Sequence, residues 1–468
     1  MKEAIELEKK EIVEIVEKQR RFFAIGKTRS VDFRIEQLLK LKAAIEGNEK
    51  KLLAALGKDL GKSEIEGYLS EIGLSLGEID HMVRYLEQYA RPKKVKTPLI
   101  YFGARSFVVS EPLGVVLILA PWNYPFQLLV SPLIGALAAG NCAVLKPSEL
   151  AGNVSSAISE ILRSAFPEEY LAVFEGGVET STTLLDQKFD HIFFTGGEAV
   201  GKVVMKAAAR HLTPVTLELG GKSPCIVEED ADLAIAARRI AWGKFLNAGQ
   251  TCVAPDYLLV QKNAKRELLD FLKATIQDFF GADPIESPFY GRIIDERHFD
   301  RLEGLLADAE VFSGGHRVKS EKYFEPTLLH GVSPDSPIMS EEIFGPLLPV
   351  LEYEKLSDAI AFVNGRPKPL ALYFFSGDKE KQQRILRETS SGGVCLNDTV
   401  IHISTNDLPF GGVGASGMGS YHGRASFDTF SHRKGVLRNT QAFDLKLKYP
   451  PYRLSLAFLK KMMPWTMR

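Results

Sequence analysis

Cysteine is scarce in this chain of 468 residues: Cys142, Cys225, Cys252 and Cys395 are all there is. No two stand at the short spacing of a metal-ligand pair, and four are too few for a disulfide scaffold in a chain this long. Such usage fits a reducing compartment. An excess of either charge is also lacking. Lys and Arg total 58 and Asp and Glu total 59, which leaves −1. That balance argues against a general nucleic-acid binder, although a local basic patch stays open. Long apolar runs are absent too. The best, 115–120, is strand length and far short of a bilayer span. The start, MKEAIELEKKEIVEIVEKQRR, carries alternating charge and no apolar run of signal length. The expected location is therefore the cytoplasm.

What remains is the composition of an ordinary globular protein. Apolar residues make up 45% and charged residues 25%, so a core for roughly three domains can be built at this length.

The first hundred residues read as helical. Ile35, Leu38, Leu39, Leu41 and Ala44 recur at helical spacing, followed by Leu52, Leu53 and Leu56. A second helical stretch opens near Ser63, where Ser63-x-x-Glu66 fits a capping box, and runs through Ile79 and Leu86 to a stop at Pro92. The character then changes. Segments 97–101 and 105–111 have β composition. Strands at 115–120, 143–145, 172–174, 191–194 and 215–219 alternate with helices at 132–139, 148–166, 179–185 and 199–209. Such alternation implies a mostly parallel sheet with helices on both faces. A second α/β region follows, with strands at 224–227, 257–260, 326–329, 348–351, 370–375 and 393–397. Helices at 231–245, 265–280, 293–309, 356–364 and 378–388 lie between them. The glycine-rich piece 409–414 must be a loop. No internal repeat is evident.

Several residues invite a chemical reading. Cys252 lies in Asn247-Ala248-Gly249-Gln250-Thr251-Cys252-Val253. A lone cysteine is by default a buried apolar residue. Its polar neighbours make a poor interior for a structural thiol, and the alternative is a nucleophile with a lowered pKa or an adjacent base. Gly249 permits close approach of backbone and substrate. Glu218 ends an apolar strand just before Gly220-Gly221-Lys222. Either it pairs with Lys222 or another base, or it faces a cleft, where burial would raise its pKa and suit it to general-base work. Asn123, between aromatics and prolines, reads as a turn residue or as an amide donor for a developing oxyanion. Lys146-Pro147-Ser148-Glu149 opens a helix after a strand, the position at which α/β folds bind ligands. Residues 194–201 give strand, glycine turn and helix, a backbone arrangement able to hold pyrophosphate, without a GxGxxG signature.

Taken together, the segments PWNYPF at 121–126, KPSE at 146–149, FTGGEAVG at 194–201, LELGGKSP at 217–224, GQTCVAPDY at 249–257, EEIFGP at 341–346 and LPFGGVGASGMGSYHG at 408–423 resemble the aldehyde dehydrogenase superfamily. SYHG followed by SFDTFSHR, with the short amino terminus, resembles its class 3 or fatty-aldehyde branch. The likeness covers roughly residues 10–445. It implies the α/β aldehyde dehydrogenase fold, with a cofactor domain and a catalytic domain each built on a mostly parallel sheet. The dinucleotide-binding domain would take 1–90 and 111–219, and the catalytic domain 220–405. A small β oligomerisation element would take 91–110 and 406–445, leaving a tail at 446–468.

The function implied is NAD(P)-dependent oxidation of medium- or long-chain aliphatic or aromatic aldehydes to acids. By that likeness Cys252 attacks the aldehyde to give a thiohemiacetal. Asn123 and the Cys252 N–H form the oxyanion hole, and hydride passes to the nicotinamide. Glu218 activates water against the resulting thioester. Lys146 and Glu149 would meet the adenosine ribose, with Glu149 disfavouring a 2′-phosphate, so NAD ranks first and NADP stays possible. Trp122, Thr195, Gly196, Gly197 and Gly201 would line the cofactor cleft with Leu219, while Glu342 and Phe344 would meet the nicotinamide ribose. Gly197 departs from the serine of many relatives, which removes a hydroxyl and leaves the backbone donors. No metal is expected, and a homodimer is. The alternatives are a CoA-acylating aldehyde dehydrogenase and a non-catalytic protein of the same fold.

The tail from Asp444 holds one acid and six bases, 6 − 1 = +5, among apolar residues. It reads as a subunit-docking or frayed tail, or as a peripheral membrane contact.

Overall fold

The computed structural model describes residues 2–306, 309–444 and 446–466. Within the tail and oligomerisation segments, residues 445, 467 and 468 lie outside the described residues.

Two parallel sheets form the body of the fold. The first has six strands in the order Gly417–Met418, Val215–Leu219, His191–Gly196, Val115–Leu119, Cys142–Lys146 and Leu171–Val173. All pairs are parallel except the two-residue edge strand Gly417–Met418. Val115–Leu119 and Cys142–Lys146 are buried along their whole length. Helices cover both faces of such strands, so they read as unbroken apolar runs. The second sheet has seven strands in the order Glu310–Ser313, Thr327–His330, Leu347–Tyr353, Tyr257–Gln261, Pro224–Val227, Ala371–Phe375 and Gly393–Leu396. Only Glu310–Ser313 runs antiparallel. A third, antiparallel sheet joins Lys93–Val95, Arg105–Pro112 and Ser431–Arg438. Residues 406–445 are thus shared out. Ser431–Arg438 enters the small sheet, whereas Gly417–Met418 edges the six-stranded one.

Several local expectations need correction. Residues 97–101 are not a strand: Leu99–Tyr101 is a 3₁₀ turn, and extended backbone lies earlier, at Lys93–Val95. The helix expected from 148 starts at Gly152. Its amino end is capped from another element, since Asp59 accepts from Asn153 N at 3.3 Å and Val154 N at 2.9 Å. A carboxylate from 94 residues away fixes that start, beyond the reach of Pro147 and Ser148. Of the stretch expected to be helical from 293 to 309, Glu296–Leu306 is helix, residues 293–295 and 309 are not, and 307 and 308 lie outside the described residues.

The helix from Ser63 is also interrupted. It runs Glu64–Gly67, then a π-helical turn Tyr68–Ile72, then Gly73–Ala90. Such turns mark functional sites more often than plain helix does. Ser63 Oγ accepts from Glu66 N at 3.1 Å, which is half of the capping box. The Glu66 carboxylate instead accepts from Asn247 N at 2.9 Å, so a tertiary contact replaces the local one.

Candidate active site

The chain passes from the first sheet to the second through residues 220–223, and Glu218 lies just before that crossing on Val215–Leu219. Its neighbours in register are Thr195 on one side and Gly417 on the other. Cys252 arrives from the second half. The helix Leu233–Phe245 runs into a 3₁₀ turn, Leu246–Gly249, in which Asn247 and Ala248 both have φ of 52°. Left-handed backbone at two consecutive non-glycine residues is costly and persists only where surrounding contacts hold it. Gly249 follows with φ of 76°, and a Cβ there would stand 2.3 Å from the Gly345 carbonyl oxygen. The close approach that glycine permits is therefore to backbone 345 rather than to substrate.

Cys252 Sγ lies 3.5 Å from Glu218 Oε1. Glu218 does not pair with Lys222, which instead binds Asp256 and the carbonyls of Ile338 and Glu341, both at 2.8 Å. That lysine thus pins the loop before Glu342. Glu218 is buried, and its second oxygen, Oε2, and the Thr195 hydroxyl face each other and meet no other group. Burial pushes the Glu218 carboxyl up to about 7, partly offset by the thiol and by the His422 side chain. Burial and the Glu218 and Glu342 carboxylates hold the Cys252 thiol well above its ordinary value. Cys142, Cys225 and Cys395 are buried, whereas Cys252 is partly exposed on a cavity.

Asn123 is buried, and its side-chain Nδ2 donates to Gln250 O at 3.0 Å, two residues before Cys252. The amide is therefore aimed along the nucleophile loop with one N–H still to give. Its backbone oxygen accepts from Lys62 Nζ at 3.0 Å and Asn247 Nδ2 at 2.8 Å. The Tyr124 hydroxyl shares a 2.7 Å hydrogen bond with the Thr251 hydroxyl. The sequence gives Tyr124 and Thr251 no role of their own, although each adjoins a residue singled out there.

The predicted cofactor positions collect along the carboxyl ends of the first sheet. Lys146 ends Cys142–Lys146 and is paired with Glu149 at 2.6 Å. Gly196 ends its strand and Gly197 caps the helix Glu198–Ala209. Gly201 lies against Leu219, where a Cβ would come within 2.8 Å of that side chain. The Glu342 carboxylate lies on Gly220, where a Cβ would come within 1.9 Å of Oε2. Burial and the Asp256 carboxylate push Glu342 up to about 8. Phe344 adopts φ of 49° and meets Trp122 edge to face at 5.3 Å. Thr195 and Glu218 oxygens that meet only each other, a glycine turn into a helix and a lysine–glutamate pair fit a dinucleotide's donors and acceptors.

A cavity of about 430 Å³ reaches Cys252. Its wall is mostly apolar, with Tyr124, Trp242, Phe245, Phe279, Phe280, Phe289, Phe410 and Tyr421 among its lining residues. At its margin Ile65 is 64%, Leu69 65% and Phe289 55% exposed. No group of three or more potential metal ligands occurs among the described residues.

A thiol beside a buried carboxyl of near-neutral pKa, at the end of a sheet suited to a dinucleotide, defines a cysteine-dependent oxidoreductase site. Comparison with known proteins makes this specific. The family model for the aldehyde dehydrogenase family matches residues 2–436. The 4,4'-diaponeurosporen-aldehyde dehydrogenase of Staphylococcus aureus is 49% identical over 441 residues, covering 94% of this chain and 96% of that protein. The rat protein named "Aldehyde dehydrogenase, dimeric NADP-preferring" is 48% identical over 444 residues, covering 94% and 98%. The solved substrate-bound state of Staphylococcus aureus AldH superposes with a TM-score of 0.95 at 48% identity, covering 97% of this chain and 99% of that one.

The chain belongs to the aldehyde dehydrogenase family, close to its class 3 and fatty-aldehyde-dehydrogenase-like members. It is an NAD(P)-dependent aldehyde dehydrogenase, oxidising aldehydes to carboxylic acids through a catalytic cysteine.

Proposed function

We propose that Cys252 is the nucleophile, Glu218 the general base and Asn123, with the Cys252 backbone N–H, the oxyanion support. The observation that carries this reading is the 3.5 Å contact between Cys252 Sγ and Glu218 Oε1. The thiol proton passes to Glu218, and the thiolate adds to the aldehyde carbonyl to give a thiohemiacetal oxyanion. The Asn123 amide stabilises that charge, which the free aldehyde does not carry. A bound dinucleotide supplies the acceptor for the hydride lost from the thiohemiacetal carbon, leaving a thioester. Glu218 releases the thiol proton to solvent, then removes a proton from the water that hydrolyses the thioester, and the sulfur leaves as the acid forms and regains a proton.

Lys146 and Glu149 would hold the adenosine ribose. Thr195, Gly196, Gly197 and Gly201 would face the pyrophosphate, and Trp122, Leu219, Glu342 and Phe344 the nicotinamide side. On this reading 1–90 and 111–219 serve the dinucleotide and 220–405 the chemistry. Segments 91–110 and 406–445 would serve oligomerisation. The apolar cavity supports medium- or long-chain aliphatic or aromatic aldehydes as substrates. The rat relative is named dimeric, and a homodimer formed through the edge strand Ser431–Arg438 is the corresponding assembly here. No described helix is long and apolar enough to cross a membrane. Leu456 and Phe458 of the tail helix Leu456–Thr466 are exposed beside Lys460 and Lys461. That face supports a peripheral membrane contact.

The deciding experiment is Cys252→Ala. Aldehyde-dependent NADH formation falls by more than about 10³-fold while NAD binding persists. Retained turnover would place the nucleophile elsewhere.

A further inference from the structure

Lys62 and Glu71 form an ion pair at 2.5 Å with both side chains wholly buried. Such a pair is a doubtful source of stability, because its desolvation cost rivals its attraction and apolar residues often replace it without loss. Its partners suggest another use. Lys62 Nζ donates to Asn123 O at 3.0 Å and stands 3.9 Å above the Tyr124 ring centroid. All three ammonium N–H directions are thereby engaged: a carboxylate, a carbonyl and an aromatic face. The other Glu71 oxygen accepts from Phe126 N at 2.8 Å and Gln127 N at 3.2 Å. The pair thus grips residues 123–127 at both ends. Glu71 is carried by the π-helical turn Tyr68–Ile72 and Lys62 by the backbone just before the turn Glu64–Gly67.

The grip extends to the nucleophile loop. Asn123 Nδ2 donates to Gln250 O at 3.0 Å, and Gln250 Nε2 donates to Asn247 O at 3.0 Å. Asn247 Nδ2 returns to Asn123 O at 2.8 Å, and Asn247 N donates to Glu66 Oε1 at 2.9 Å. Glu66 therefore holds the start of the left-handed pair Asn247 and Ala248, the costly turn that delivers Cys252. One short segment, residues 62–71, contacts both the amide loop and the thiol loop.

We propose that Lys62, Glu66 and Glu71 are positioning residues that fix the Asn123 amide and the Cys252 loop on one buried frame, setting the distance between oxyanion donor and sulfur. This rests on the reading of Asn123 as the oxyanion donor. A displacement of about 1 Å at such a donor is worth up to about 10²-fold in rate, so a buried frame that costs desolvation is favoured by function rather than by stability.

The test is a double-mutant cycle in the full chain. Lys62→Met slows single-turnover NADH formation by about tenfold or more, changes the aldehyde KM by less than about threefold and leaves NAD binding unchanged. In the Asn123→Ala background the same substitution costs several-fold less, because the amide it positions is gone while the backbone oxygen that links it to the Cys252 loop stays. Equal slowing in both backgrounds overturns the inference. Should Lys62→Met not fold, Glu71→Gln keeps an acceptor for Phe126 N and Gln127 N and carries the same comparison. If Asn123→Ala alone leaves the rate intact, the reading of Asn123 fails and takes the frame with it. That result is distinct from a cycle in which Asn123 matters and Lys62 does not couple to it.

Discussion

Cys252 Sγ stands 3.5 Å from Glu218 Oε1, and both groups bind protons more tightly than they would in water. The resting sulfur is therefore a thiol, and the carboxyl beside it changes charge near neutrality. A carboxyl at its ordinary value would be a weak proton acceptor at pH 7. One raised to about 7 accepts the thiol proton, or a water proton, with far less mismatch.

Glu218→Gln removes the acceptor of both the thiol and the water proton, and the water step, which deprotonates the weaker acid, slows the more. Glutamine keeps the shape and removes the base, so hydrolysis slows by about 10²-fold or more. Acyl-enzyme accumulates on Cys252, and intact-protein mass spectrometry after an aldehyde pulse reads the added mass. Unchanged turnover with no adduct would assign the base elsewhere.

The same substitution has a stability signature. The Glu218 carboxyl is raised from 4.5 to about 7 in the folded chain. The folded state therefore binds its proton more tightly than the unfolded state does, and stability is lost as pH rises from about 4.5 through about 7. The wild-type penalty at pH 8 is of the order of 3 kcal/mol. Glu218→Gln should be more stable than wild type at pH 8 and indistinguishable near pH 4, as read by urea unfolding. In wild-type enzyme the deacylation rate should rise with pH to a plateau with its midpoint near 7.

The proposed part of Glu149 in cofactor choice is tested at its carboxylate, which is 2.6 Å from Lys146 Nζ. A carboxylate there repels a 2′-phosphate and occupies the lysine that would otherwise bind it. Glu149→Gln should lower the KM for NADP by about tenfold, an effect of one to two kcal/mol, and raise that for NAD. Parallel titrations with both dinucleotides check it. Equal movement of both constants would remove Glu149 from cofactor selection.

Chain-length preference is tested at the cavity margin. Leu69 is 65% exposed there. Leu69→Lys should raise the KM of long-chain aldehydes by about tenfold, the value of roughly 50 Å² of apolar contact. Short aldehydes should be unaffected. A uniform change across chain lengths would mean that the substrate chain does not reach this margin.

Assembly and tail are separated by deletion. Light scattering of full-length protein should give a dimer at micromolar concentration. A chain ending at 444 should keep that mass if the Ser431–Arg438 edge forms the interface. If the tail binds membranes, full-length protein should bind anionic vesicles in a salt-sensitive way and the shortened chain should not. Equal partition of the two would leave the tail without a membrane role.

Much of the fold was legible because the signals are local. Fully buried strands such as Val115–Leu119 announce themselves as apolar runs, and glycines and prolines mark their ends. The residues of the candidate site were legible as well, through seven motifs resembling one family. Helix starts were less so. The helix that starts at Gly152 is capped by Asp59 through Asn153 N and Val154 N, and Glu66 leaves its capping box for Asn247, because tertiary partners win over local ones.

By itself the sequence determined two parallel α/β halves and the motif residues Cys252, Glu218, Asn123 and Lys146. Periodicity and turn chemistry act over a few residues, and those are what a linear reading sees. Tertiary structure decided that Glu218 faces sulfur rather than Lys222. It also decided that Asn123 reaches Gln250 across 127 positions of chain and that Lys62 stands buried behind both. Those contacts exist because packing closes gaps of 34 to 127 residues. The burial that accompanies packing is what moves the Glu218 pKa to a value at which it can work.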